Sequence, residues 1–223
     1  MSDRPDPTPI RPTGRTRVRR NHARADYERE TVHAILDAAP SCTLAWLLDG
    51  APALTPTLHW RIGERVYWHG SSASRTLRRA AGAEVCLNAM ILDGYVLARS
   101  AFNHSVNFRS VTVFGTAQTV SDPEEKCAAL RAMVEHMVPG RWPGLRAVSA
   151  RELKATSVMW LPLDEASAKL RSGGPVDDEA DCALDIWAGT VPVRTAFGAP
   201  VADPKMSAPI AVPRHVLERF ARG

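Results

Sequence analysis

Apolar residues recur along this chain in two periods, and the switches between them divide it into elements. Val32, Ile35 and Leu36 follow the i, i+3, i+4 spacing of a helix face. Asp26 is the expected cap, Glu28 and Glu30 suit the first turn, and Pro40 is the stop. From there the pattern becomes a series of short strand-like runs separated by turn residues. Residues 42–48 form one run, and Asp49-Gly50 is a hairpin dipeptide. Residues 53–60 return, Ile62-Gly63-Glu64 turns the chain, and residues 65–69 form a third strand. A helical piece is predicted over 74–81 and a strand over 84–92, with Asp93-Gly94 as a second hairpin turn. Residues 106–120 read as one long strand or a bent pair, with Gly115 where a bulge would sit.

Pro123 then suits the first position of a helix capped by Asp122. Leu130, Val134 and Met137 mark its buried face, and Gly140 closes it. Residues 158–163 read as the last barrel strand and 164–170 as a short helix. Strands joined by hairpins favour an antiparallel sheet, and so many short ones favour its closure. The expected class is mainly β with helices: an antiparallel split β-barrel, α+β overall, against the alternative of an open α+β sandwich. The chain divides into a leader (1–25), one barrel domain (26–198) and a tail (199–223), without internal repeats.

Composition narrows the function classes. With 45% hydrophobic and 23% charged residues the chain has a globular balance. No apolar run approaches the roughly 20 residues that cross a bilayer, and the N-terminus lacks the apolar stretch of a secretory signal. No membrane association is expected, and a cytoplasmic location is. The net charge of +4 is unevenly spread. Residues 1–25 hold seven arginines against two aspartates, a balance of +5, which leaves the rest at −1. The leader, with Pro5, Pro7, Pro9 and Pro12, therefore reads as a mobile solvated tail, with contact to acidic partners or to a neighbouring subunit's phosphate site as the alternative, and the body has no basic stripe for nucleic acid. Cys42, Cys86, Cys127 and Cys182 form no C-x-x-C pair, so metal and dithiol chemistry have no support.

Three segments carry candidate chemistry. In Tyr67-Trp68-His69-Gly70-Ser71-Ser72-Ala73-Ser74-Arg75, a strand runs through small and hydroxylated residues into a helix. Free N–H groups, Ser71 and Ser74 hydroxyls and the Arg75 fork suit an anion. An ordinary Ser-capped helix with Arg75 in water fits equally well. In Asn107-Phe108-Arg109-Ser110-Val111-Thr112-Val113-Phe114-Gly115, Asn107, Arg109 and Val111 share one strand face. Arg109 needs an anion or carboxylate if buried and none if it sits at an edge. In Leu54-Thr55-Pro56-Thr57-Leu58, Pro56 removes a ladder donor and points to an edge or bulged strand.

In this order, and followed by the Asp122-Pro123-Glu124-Glu125-Lys126 helix start, the three segments resemble the pyridoxamine-phosphate-oxidase-like flavin-nucleotide-binding proteins, near the nitroimidazole-resistance reductases. The likeness spans roughly residues 17–187. It implies FMN held between the two subunits of a homodimer, serving an oxidoreductase that acts on a small-molecule substrate. His69, Gly70, Ser71, Ser74 and Arg75 would contact phosphate and ribityl. Thr55, Thr57 and Leu58 would run along the flavin ring, Asn107, Arg109 and Ser110 would contact the cofactor, and Trp187 would border it. His69 matches a functional histidine of the reductase branch and is the candidate catalytic residue. Thr76 stands where the oxidases carry Lys, and their C-terminal Arg-x-His-x-Arg is absent, so vitamin B6 oxidation is not expected. Two alternatives remain: a flavin sensor without catalysis, or haem binding on the same barrel through His104 or His69. His33, His59, His136 and His215 read as structural or exposed.

Overall fold

The computed structural model describes residues 8–220. The first seven and last three residues, at the ends of the expected leader and tail, lie outside it. Helix α1 (Arg29–Ala38) buries Val32, Ile35 and Leu36 as the spacing requires. It starts two residues later than the expected Asp26 cap implies, with Glu28 at the cap position. Asp26 sits in strand β1 (Ala25–Asp26), and its carboxylate accepts from the Glu28 N–H and the Thr31 hydroxyl, supporting the helix start from outside. Strands β2 (Cys42–Leu48) and β3 (Ala51–Thr57) form the expected hairpin. Asp49 and Gly50 have φ of 52° and 82°, as a two-residue turn between twisted strands needs.

The expected strand over 53–60 is two strands. β3 ends at Thr57, and β4 (His59–Ile62) pairs with β5 (Arg65–Ser71) in a different sheet. Helix α2 (Arg75–Ala80) comes next, capped by Ser74. Strand β6 (Glu84–Leu97) continues through Asp93-Gly94, so the expected second hairpin turn is absent. The register instead shifts between Leu92 and Gly94, a β-bulge, opposite β7 (Ser105–Thr116). Gly94 is needed for close approach: a Cβ there would meet the Val191 carbonyl at 2.9 Å. That carbonyl belongs to β11 (Gly189–Pro192), which pairs along residues 94–97 of β6. Gly115, the expected bulge, pairs regularly with Val85 and faces Leu161, where it lets two sheets come together.

Beyond Ala117 the chain crosses to β8 (Gln118–Thr119), so the stretch 106–120 is a bent pair. Helix α3 (Pro123–Met137) opens with the Asp122 cap, and Leu130 is buried while Met137 is exposed. After α4 (Ala150–Ala155) come β9 (Thr156–Pro162) and β10 (Ala166–Arg171). The expected helix over 164–170 is therefore a 3-10 turn leading into a strand. Period two decides it: Ala166 and Ala168 face the core, in register with Val113 and Val111. Helix α5 (Glu179–Cys182) is short, and α6 (Arg214–Phe220) ends the described chain, with the Arg219 Nε–H donating to the Met137 carbonyl at 3.1 Å.

The larger sheet runs β1-β10-β7-β6-β2-β3 with β11 beside β6, and the smaller runs β4-β5-β9-β8. All pairings are antiparallel. The chain passes between the sheets at β3–β4, β5–β6, β7–β8 and β9–β10, giving an α+β split barrel. Its core lies between them and α1, where Leu44, Leu87, Val111 and Val113 meet Trp68, Met159 and Leu161. A second cluster, with Trp60, Tyr67, Val158 and Leu130, fills the space under α3 on the far side of the smaller sheet. Among the described residues no helix is long and apolar enough to cross a membrane.

The leader is anchored at Ile10 and Thr16, both buried, where a solvated tail was expected, while Arg17, Arg19 and Arg20 stay exposed as expected. Ile10 is 1% exposed within the main core and its N–H donates to the Tyr27 carbonyl at 2.8 Å. The Tyr27 hydroxyl donates to the Thr16 carbonyl and accepts from the Val18 N–H. Arg15 bridges Glu84 and Glu165 and lies over the Phe114 ring. One buried isoleucine and carboxylates paired across the chain suffice to hold a segment that composition assigns to solvent. Ile10→Ala should cost about 2–5 kcal/mol of stability, as for other buried large-to-small changes. Equal urea midpoints for variant and parent would show that the leader contributes nothing.

Candidate functional site

The residues singled out by sequence fall into separate groups. At the β5–α2 turn, the Ser71 oxygen accepts from the Ala73 N–H at 3.2 Å and the Ser74 oxygen from the Leu77 N–H at 3.4 Å. Each hydroxyl keeps its own proton free to donate. Arg75 donates to Asp49 at 3.1 Å across from the β2–β3 turn, and Arg79 lies 3.7 Å from the same carboxylate. The Arg75 side chain is 67% exposed, so only part of its fork is used. Gly70 precedes this turn and packs against Leu77. Thr55 and Thr57 share one face of β3, which is an edge strand as Pro56 required, while Leu58 lies between β3 and β4.

On β7 the chemistry is more tightly built. Arg109 sits on an inner strand and grips Asp93 through two bonds of 2.9 and 2.8 Å. The bulge that replaces the expected turn thus delivers the carboxylate that a part-buried arginine requires, and this pairing holds the guanidinium charged. The Ser110 hydroxyl donates to the Lys169 carbonyl at 3.3 Å. Asn107 reaches the β10 end: its amide donates to the Gly173 carbonyl at 3.0 Å and its oxygen accepts from Arg171. Trp187, just before β11, is 68% exposed with its ring against Gly189.

Sequence reasoning missed Arg171. It is 8% exposed, forms no ion pair among the described residues, and donates only to Asn107 and the Gly173 and Gly174 carbonyls. With Ala23, Arg24, Leu170, Ser172, Gly174 and Val176 it lines a cleft of about 230 Å³. A larger cleft of about 480 Å³ lies on the outer face of the larger sheet, between Arg15, Leu47, Pro52 and Phe114. Another of about 440 Å³ lies between α3 and α4, lined by Met133, Trp142 and Leu145. The only signal for Arg171 in the sequence is a basic residue before Ser172-Gly173-Gly174, which fits any turn.

The histidines separate by environment. His69 packs beside Trp60, ring centroids 5.8 Å apart, with Nδ1 buried and unpartnered. Burial pushes its pKa below the ordinary value, so the ring is neutral at pH 7. His104 is exposed, and its Nδ1 lies 2.8 Å from the Ser100 carbonyl. A carbonyl only accepts, so Nδ1 carries a proton, and Nε2 makes no hydrogen bond among the described residues. His59 is fully buried with Nε2 at 2.8 Å from the Leu36 carbonyl, and His33 lies 3.2 Å from Glu64. Among the described residues no group of His, Cys, Asp or Glu could hold a bare metal ion.

Residues 28–170 match the model of the pyridoxamine 5'-phosphate oxidase family. The chain belongs to that family. Among solved structures of relatives, the flavocytochrome Anf3 from Azotobacter vinelandii is 45% identical over 94% of this chain and 98% of its own, with a TM-score of 0.90. An FAD- and haem-binding protein from Mycobacterium smegmatis is 36% identical over 88% of this chain and 97% of its own, TM-score 0.85. A candidate 5-nitroimidazole antibiotic resistance protein from Bacteroides thetaiotaomicron shares the fold at 20% identity, covering 65% of this chain and 85% of its own, TM-score 0.54. No curated protein matches the chain. The family model stops at residue 170, whereas the likeness to the flavocytochrome, over 94% of the chain, takes in most of the C-terminal segment as well.

Burial lowers the pKa of His33, His59, His69 and His136. In the unfolded chain these imidazoles titrate near the ordinary ~6.5. Below that pH the unfolded state takes up protons the folded state refuses, so stability is full above ~6.5 and falls with pH toward the lowered folded values. The urea midpoint should therefore be lower at pH 5.5 than at pH 7.5. An unchanged or higher midpoint at pH 5.5 would contradict the buried, neutral assignment.

Proposed function

We propose that this family member is a redox protein that binds a flavin nucleotide and a haem, working as a homodimer. The observation that carries the reading is the 45% identity to a flavocytochrome across 94% of the chain. The relative named for FAD and haem together points the same way and favours FAD over the FMN expected from the family resemblance. When bound, the flavin supplies two-electron chemistry and the haem iron one-electron chemistry.

The protein's own contribution is to hold, orient and shield these groups. Ser71, Ser74 and Arg75 fit a flavin phosphate: two free hydroxyl protons and an exposed fork share one turn. Thr55, Thr57 and Leu58 supply edge-strand backbone for the flat ring, and Asn107, Arg109, Ser110 and Trp187 border it. Their spread over the β5–α2 turn, the edge strand β3 and the rim of β7 suits a site shared between two protomers. The outer face of the larger sheet fits the dimer contact, with Leu47 and Leu54 each 69% exposed and Met90 47% exposed. His69 is neutral at pH 7 and serves as a hydrogen-bonding partner for substrate.

For the haem, His104 fits better than His69. Its Nδ1–H bond to the Ser100 carbonyl fixes the ring and leaves the Nε2 lone pair available, the arrangement that metal-bound histidines use. Phe102, 90% exposed two residues away, gives apolar surface for a macrocycle.

The purified protein, or the protein incubated with FAD and hemin, should show flavin bands together with a Soret band, and sediment as a dimer. A protein that takes up neither group would overturn the reading, and one that takes up flavin without haem would reduce it to a flavoprotein. Arg75→Ala should weaken flavin binding by about 1.5–3 kcal/mol, the size of a charged hydrogen bond. An unchanged affinity by fluorescence titration would move the phosphate to another part of the chain.

A further inference from the structure

Arg171 is in an unusual state for an arginine. Its side chain is almost wholly buried, yet no carboxylate pairs with it among the described residues. Guanidinium has five N–H donors. Those on the two terminal nitrogens reach the Asn107 side chain and the Gly173 and Gly174 carbonyls, while Nε–H is buried without a partner. Neutral acceptors satisfy hydrogen bonds and leave the charge uncompensated, which is costly away from water. A second cation makes this worse. Arg24 lines the same cleft, has no side-chain partner among the described residues, and adds to burial in pushing the Arg171 pKa down.

A bracing role for the turn after β10 explains the three bonds to Asn107, Gly173 and Gly174. It does not explain an orphaned Nε–H or two arginines in one cleft without an acid. The cleft holds about 230 Å³, against about 30 Å³ for one water. Ser172 adds a hydroxyl to its lining, and among the described residues no acidic one shares it.

We propose that the cleft between Arg24, Arg171 and Ser172 is a phosphate-binding site. The ligand class is a phosphate carried by a nucleotide. Arginine forks match phosphate oxygens in geometry as well as charge, and a bound phosphate would satisfy Nε–H and compensate both cations together. Asn107 links the site to β7, where Arg109 and Ser110 stand, so the nucleotide is assigned as the flavin, with the adenylate half of FAD supplying the phosphate. That last step rests on the flavin reading above; the phosphate site itself does not.

Two measurements separate the two claims. Calorimetric titration of the full chain with inorganic phosphate tests the cleft alone. Binding is expected, and Arg24→Gln, a change at a part-exposed position that leaves the core intact, should weaken it at least fivefold. Arg171→Gln should weaken it further where that variant folds. Phosphate binding that is absent, or equal in parent and Arg24→Gln, overturns the site. Titration with FAD and with FMN then tests the nucleotide. Arg24→Gln should lower FAD affinity at least tenfold while leaving FMN affinity within twofold. Equal effects on FAD and FMN, or none on FAD, overturn the assignment to the adenylate half. A parent that binds phosphate but no flavin keeps the cleft and overturns the flavin reading.

Discussion

Two antiparallel sheets closing over one apolar core are what the remaining features of this protein depend on. Leu44, Leu87, Val111 and Val113 on the larger sheet need cover from water, and Trp68, Met159 and Leu161 of the smaller sheet provide it. The cover holds because the chain itself passes from sheet to sheet four times, at β3–β4, β5–β6, β7–β8 and β9–β10. Gly115 allows the close approach at β7–β8, since even a methyl group there would stand 3.3 Å from Leu161. With those crossings in place, β7 is an inner strand flanked by β6 and β10, and its polar end is held at a rigid rim. Arg109, Asn107 and Arg171 are presented by that rim rather than by a loose loop.

Much of the barrel was legible because strands with one buried face alternate in sequence. Residues 42–48, the Asp49-Gly50 turn, the Asp122 cap and the apolar face of α1 were all readable from local chemistry. The failures share a cause. Asp93-Gly94 has the composition of a turn but sits mid-strand, because Gly94 is required by a neighbour, β11, almost a hundred residues later in sequence. Residues 164–170 carry small apolar residues that suit helix or strand, and only the register with β7 decides between them. The leader was misjudged for the same reason: Ile10 is an apolar residue in a charged, proline-rich stretch, and its pocket is made by distant segments.

The candidate site was legible in its parts and not in its assembly. Motif order identified the family, and the residues it picked out are where backbone turns and strand ends gather polar groups. Which groups neutralise one another was not readable. Arg75 meets Asp49 and Arg109 meets Asp93, and neither pair has a sequence spacing that announces it. Arg171 was invisible for the opposite reason, because what distinguishes it is the carboxylate it lacks. The chain beyond residue 170, outside the family model, supplies Arg171 and Ser172 to that cleft and the strand that covers the β6 bulge.

Asn107 spans this division. Its side chain joins a strand of the family core to the turn after β10, accepting from Arg171 and donating to Gly173. Whatever engages Arg171 must share that guanidinium with Asn107, and so alters the hold on the strand that carries Arg109. By thermodynamic linkage the influence is mutual, and a change at the strand alters the readiness of the cleft by an equal free energy. Beside the β6–β11 pairing, this amide is therefore a further tie through which the C-terminal segment and the family barrel answer to each other.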